Sequence, residues 1–208
     1  MGNWVLAISL FFLISFFLAP LSLEAGSVPK LSGRANAFDY AQEQGWGSWG
    51  NGANKGSMGH DQTAEGLFSW SELNFYAAFI YSFGDLNCHQ KNERSWQING
   101  NQMPVCTRDV GIFLGLAIGG WFFSRRGANR WTVTDSLLSV LSENRLETLY
   151  ISGNRRFAAF GIAAAGTLPI AVDGFTQMLT SYESTHPIRI ITGAAFGLFL
   201  ALLLSAML

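Results

Sequence analysis

The chain has two cysteines, and both stand beside other groups able to do chemistry. Cys88 is followed directly by His89, and Cys106 lies three residues before Asp109, with Arg108 between them. Thiolate, imidazole and carboxylate are the donors of zinc sites, so Cys88, His89, Cys106 and Asp109 form a candidate zinc-ligand set, awkward in that Cys and His are adjacent. Two thiols in an oxidising compartment can instead close a disulfide. A thiol beside a histidine becomes a nucleophile if its pKa is lowered. Farther along stand Asp173, Gln177 and Arg189. An ionisable group in an apolar stretch is a functional suspect, but Asp173 is near the end of its stretch, where a carboxylate can reach water. Its natural partners are Arg108 and Arg189, as charge-assisted pairs. His60 and His186 stand alone on expected loops and read as solvated.

The elements that position these residues have to lie in a membrane. Of 208 residues, 49% are hydrophobic and 13% charged, against roughly 25% charged in soluble domains. Residues 1–23, 110–124, 157–172 and 190–208 carry no charge at all. Such a pattern excludes a soluble enzyme, a disordered chain and a basic nucleic-acid binder. A helix crosses the hydrocarbon core in about 20 residues. Residues 4–23 and 190–208 meet that length without a charge, and 157–175 meets it with Asp173 alone. Residues 110–124 come to roughly 22 Å of helix, long enough once 105–109 sit in the headgroup layer. The expected fold class is all-α integral membrane, with about four transmembrane helices. These are 1–23, read as a signal-anchor or a cleaved signal peptide, and spans near 105–124, 157–176 and 189–208. The membrane domain is expected to run over 67–208.

Residues 67–86 are rich in aromatics but have a charge-free centre of only twelve residues, 73–84. They read as a helix in the membrane–water interface. Gly111, Gly115 and Gly119, and Gly193 and Gly197, repeat every four residues, which predicts close helix packing. Pro169 is expected to kink its span. Residues 24–66 are low in aliphatics and hold a Gly-rich run, 45–59, expected to be loop. No GK[ST] follows it, so it is not a phosphate loop. Trp46 and Trp49 within it are candidate anchors on a protein partner.

Arginines sort the sides. Residues 125–156 hold six, four of them flush against span ends, whereas 24–108 hold six Lys and Arg beside eight acids. The positive-inside rule puts 125–156 in the cytoplasm, with both termini, and 24–108 and 176–189 outside, in a multi-pass cell-membrane protein. The insertion 125–156 reads as one amphipathic helix on the inner leaflet, capped by Thr134 or Asp135, with Leu137, Leu138, Leu141 and Leu149 as its apolar stripe. Cys88, His89, Cys106, Arg108, Asp109, Asp173, Gln177 and Arg189 are then expected to meet at the outer interface.

The ordered set Cys88-His89-Gln90, Arg94-Ser95, Gly100, Cys106-Thr107-Arg108-Asp109-Val110-Gly111-Ile112, Gly115, then Asp173-Gly174 and Gln177, then Arg189 and Thr192-Gly193 resembles the pattern of a prokaryotic family of small membrane proteins, domain of unknown function 2085. The resemblance covers roughly 79–197. It implies a family and a membrane location, and no activity. Asp109 stands where the family usually has a further cysteine, which leaves fewer thiolates for a metal. The tract 125–156 looks like an insertion between spans that are usually closer.

An oxidising exterior favours a Cys88–Cys106 disulfide holding the outer cluster together. The expected function is an accessory or structural subunit of a larger membrane complex, in contact with lipid and with membrane-protein partners. The alternative is a membrane-embedded metal- or ligand-binding protein, enzyme included, with its site at the outer interface and zinc as the candidate cofactor. No complete catalytic set can be written down, and four spans with one edge carboxylate and no repeated half offer little transport path.

Overall fold

The computed structural model describes residues 2–28, 30, 48–49, 68–69, 73–88 and 91–208, which are mostly helical. In chain order the helices among them are α1 (Gly2–Leu21), α2 (Phe75–Asn87), α3 (Thr107–Arg126), α4 (Val133–Leu138), α5 (Glu143–Ile151), α6 (Arg155–Leu179) and α7 (His186–Met207). Two antiparallel ladders of two residues a strand accompany them, β1 (Ser48–Trp49) with β2 (Phe68–Ser69) and β3 (Gln97–Ile98) with β4 (Asn101–Gln102). By length and composition α1, α6 and α7 can cross a membrane. Helix α3 is as long as α1, at 20 residues, but carries Arg108, Asp109, Arg125 and Arg126 at its ends. Helix α6 continues through Pro169.

Two compact units divide the chain, Met1–Phe11 with Gly111–Leu208, and Phe12–Val110. In the first, glycine lets helix backbones touch. A Cβ on Gly111, Gly115 or Gly197 would come closer than 3.0 Å to the backbone oxygen of Ile190, Ala194 or Ile112. The order Gly111–Ile190, Gly115–Ala194, Gly119–Ala201 makes α3 and α7 parallel. The first turns of α1 meet the last turns of α3, Gly2 and Leu6 against Gly120, so those two run antiparallel. Gly166 of α6 meets Phe199 of α7 in an antiparallel hairpin. Lipid gives apolar helices no hydrophobic reason to pair, so this close approach is what holds them.

The insertion 125–156 differs from the single surface helix expected. It is two helices, α4 and α5, broken between Ser139 and Ser142, and Thr132 caps α4 by accepting from the Asp135 N–H. Leu137 and Val140 pack with Phe123, Leu202 and Ala206, the ends of α3 and α7. The chain breaks here because those residues gain more by filling the bundle end than by continuing a helix along a surface. Ser136 and Ser139, which an amphipathic reading leaves on the polar side, are buried as acceptors for the Arg130 and Ala128 N–H groups.

In the second unit α2 packs on the later part of α1, with Phe12 stacked on Phe83 at 4.1 Å between ring centres. Helix α2 has 13 residues, so it is shorter than the 67–86 expected and shorter than a crossing needs. Its start is set by Asn74, whose side chain accepts from the Ala77 N–H, and Phe68–Ser69 are taken up by β2. The run 45–59 is likewise not all loop, because Ser48–Trp49 pair with that strand. The remainder of the run, with Trp46, lies outside the described residues. Between β3 and β4, Asn99 and Gly100 both have positive φ, 54° and 73°, the tight hairpin turn that an Asn-Gly pair favours. Asn101, fully buried, donates to the carbonyls of Pro20 and Glu24 and accepts from the Val28 N–H, which ties the exit of α1 to the hairpin.

Candidate functional site

The two cysteines sit at helix ends. Cys88 closes α2, its N–H donating to Gly84 O, and Cys106 immediately precedes α3, its carbonyl accepting from the Val110 N–H. Between them the β3–β4 hairpin reverses the chain, and its alignment is held by the Met103 N–H to Trp96 O and the Tyr81 hydroxyl to Gln102 O. Burial pushes the Tyr81 phenol above its ordinary pKa, so the hydroxyl stays a donor. Thr107, fully buried, donates to Arg94 O and fixes where α3 begins. The outcome is one knot of three side chains. The Cys106 N–H donates to Cys88 Sγ at 3.2 Å, the Cys106 thiol donates to Asp109 Oδ2 at 3.3 Å, and the Cys88 thiol also hydrogen-bonds that carboxylate.

The expected Cys88–Cys106 disulfide is absent. Neither sulfur is in a disulfide, and the pair is not at disulfide distance. The reason is local: each thiol is engaged by the Asp109 carboxylate, in the first turn of α3, rather than by the other sulfur. One ligand atom each from Cys88, Cys106 and Asp109 lie within 4.8 Å of one another. Tetrahedral zinc with Zn–S bonds of about 2.3 Å sets its sulfurs about 3.8 Å apart. Closing this knot on a cation therefore takes shifts of about 1 Å or less. His89 lies outside the described residues, and Arg108 is half-buried on the first turn of α3.

Asp173, Gln177 and Arg189 form a second group, within the other unit. The Gln177 side chain bridges them, its Nε2 donating to Asp173 Oδ2 at 2.8 Å and its Oε1 accepting from Arg189 Nη2 at 2.6 Å. Arg189, only 2% exposed, also donates to Ser184 O and makes an ion pair with Glu183 at 2.9 Å. Sequence reading missed Glu183. Its one signal is an acid six residues before a basic residue across the α6–α7 turn. Also unforeseen is a third group, in the insertion. Asp135 accepts from Thr132 Oγ1, Tyr150 Oη and Arg155 Nη1 at 2.7, 2.8 and 3.1 Å. The Thr132 and Tyr150 hydroxyls, with Arg155, hold its carboxyl below the ordinary value. That Asp135 follows an N-cap by three was the available signal.

The thiol knot at the start of α3 and the glutamine bridge between α6 and α7 are built from residues of the ordered motif set, Cys88, Cys106 and Asp109 in the one and Asp173, Gln177 and Arg189 in the other. Residues 88–203 match a family of predicted membrane proteins, DUF2085. The chain belongs to that family. It is 29% identical over 116 residues to an uncharacterized protein of Methanothermobacter thermautotrophicus, covering 56% of this chain and 82% of that one. It is 28% identical over 123 residues to an uncharacterized protein of Methanocaldococcus jannaschii, covering 59% of this chain and 64% of the relative. No solved structure matches. The match begins at Cys88 and takes in the thiol knot, the glutamine bridge and the insertion. As a membrane protein of this family with several apolar helices, the chain contacts the lipid bilayer.

Proposed function

We propose that this DUF2085 protein spans the membrane four times and holds one thiophilic divalent cation, zinc first, on Cys88, Cys106 and Asp109. The observation that carries the reading is the meeting of two reduced cysteines and a carboxylate within 4.8 Å. Two thiolates and one carboxylate suit zinc better than calcium or magnesium, which take all-oxygen sites. His89, next in sequence to Cys88, is the expected fourth donor. Metal binding displaces the two thiol protons and leaves the sulfurs protected from oxidation on an outer face. What supports the fourth span is the parallel run of α3 beside α7 from Gly111 to Gly119. What supports the orientation is the arginine excess of 125–156.

A second reading, an accessory subunit of a larger membrane complex, draws on the chain Asp173–Gln177–Arg189–Glu183, whose groups bond one another and so tie the α6–α7 turn. The two readings part on metal content. Full-length protein purified under reductant and without chelator is expected to carry about one zinc per chain by elemental analysis. Cys88→Ser and Cys106→Ser should lose it, and cobalt substitution should give thiolate-to-cobalt absorption. A reduced, monodisperse protein that takes up neither metal overturns the site.

A further inference from the structure

The insertion holds an exposed loop that carries an arginine and a tryptophan, Arg130 and Trp131. Residues 127–132 are pinned by their own backbone, through the Ala128 and Arg130 N–H groups on the buried hydroxyls of Ser139 and Ser136, each at 2.8 Å. Beneath them Leu137 and Val140 are locked into the bundle end. The loop's side chains point the other way: Arg130 is exposed and Trp131 fully so. Asn129, Arg130, Trp131, Asp135 and Tyr150 line an open cleft of about 700 Å³.

Charge decides the occupant. The tract 125–156 holds six arginines against three carboxylates. Asp135, the carboxylate in the cleft, is already matched by Arg155 and two hydroxyls, so Arg130 sets the sign of the opening. At the end of α3, Arg125 lies over the Trp121 ring and Arg126 over the Phe122 ring, which holds both guanidiniums near the helix end. Arg155 opens α6, whose next turn exposes Phe157 and Phe160. A cationic cleft with an indole at its lip, next to an apolar helix face, has the polarity of one phospholipid molecule, headgroup above and acyl chains below.

We propose that the cleft of Arg130, Trp131 and Tyr150 binds the headgroup of an anionic phospholipid, its acyl chains lying along the Phe157–Phe160 face of α6. The site is independent of the metal reading and stands if that reading fails.

The test is native mass spectrometry of the full chain released from nanodiscs of phosphatidylcholine mixed with phosphatidylglycerol. The wild type should retain phosphatidylglycerol in preference to phosphatidylcholine. Arg130→Gln should cut retention about five-fold, the usual effect of one basic residue at a membrane surface, and Trp131→Ala should cut it as well. Arg130→Lys should restore most of it, which separates charge from misfolding. Arg145→Gln, exposed on α5 and outside the cleft lining, should leave it unchanged. Equal retention of the two lipids, or equal losses for Arg145→Gln and Arg130→Gln, overturns the cleft as a site. Glycerol phosphate retained as strongly as phosphatidylglycerol in the same measurement overturns the lipid as its occupant.

Discussion

At Asp135, two hydroxyls and a guanidinium converge on one carboxylate, and the direction of its pKa makes that convergence measurable. A carboxyl held in the fold below its ordinary 3.8 binds protons more weakly there than in the unfolded chain. Its contribution to stability is therefore complete above about pH 4 and is lost as the pH falls through the lowered folded value. Thermal unfolding of the wild type across acidic pH should show that loss. Asp135→Asn should be less stable at neutral pH and should converge on the wild type at the acid end. A constant gap between the two at every pH would mean that the charge contributes nothing. The Asp109 knot obeys different chemistry, because its partners are thiols that a metal can deprotonate.

At the scale of elements, the closeness of α3 and α7 makes opposite predictions for glycines that look alike in sequence. A Cβ at Gly197 meets the Ile112 carbonyl, a backbone atom that cannot swing aside. Gly197→Ala should destabilise by about 1–3 kcal/mol, as overpacking does. Gly161, on α6, has nothing within 4 Å of where its Cβ would be. Gly161→Ala should be neutral, or stabilise by up to about 1 kcal/mol through helix propensity. Melting temperatures of the two variants in one detergent decide the matter, and equal losses would refute the close approach of α3 and α7. The β3–β4 hairpin acts on the same scale. Its Asn-Gly turn sets the reversal between α2 and α3, and with it the meeting of Cys88 and Cys106.

The proposed four-span topology requires α1 and α3, and α6 and α7, to run antiparallel, as they do within the first unit, and it puts the arginine-rich insertion at the shared end of α3 and α7. Cysteine labelling with a membrane-impermeant reagent checks the sides. Arg145→Cys, exposed on α5, should gain no label over the parent in intact cells and should gain it once the membrane is opened. Thr180→Cys, exposed just after α6, should label in intact cells. Reversed labelling of the two would invert the topology.

The sequence alone determined that this is a membrane protein, where its apolar helices run, and which family it belongs to. Helix α7, read as 189–208, is His186–Met207, and α6, read as 157–176, is Arg155–Leu179. Hydrophobicity is a sum over single residues, and the preference for lipid needs no knowledge of partners. The glycine stripes were legible for the same reason, since an absent side chain is visible without its neighbour. Partner choice was not. The thiols of Cys88 and Cys106 face Asp109 because the hairpin and two helix ends set their spacing, and Arg189 reaches Asp173 through Gln177 because α6 and α7 fold back on each other. The insertion breaks in two because the bundle end offers Leu137 and Val140 a core to fill. Each of these outcomes turns on distances of a few ångströms between segments far apart in the chain, and only the tertiary structure sets those distances.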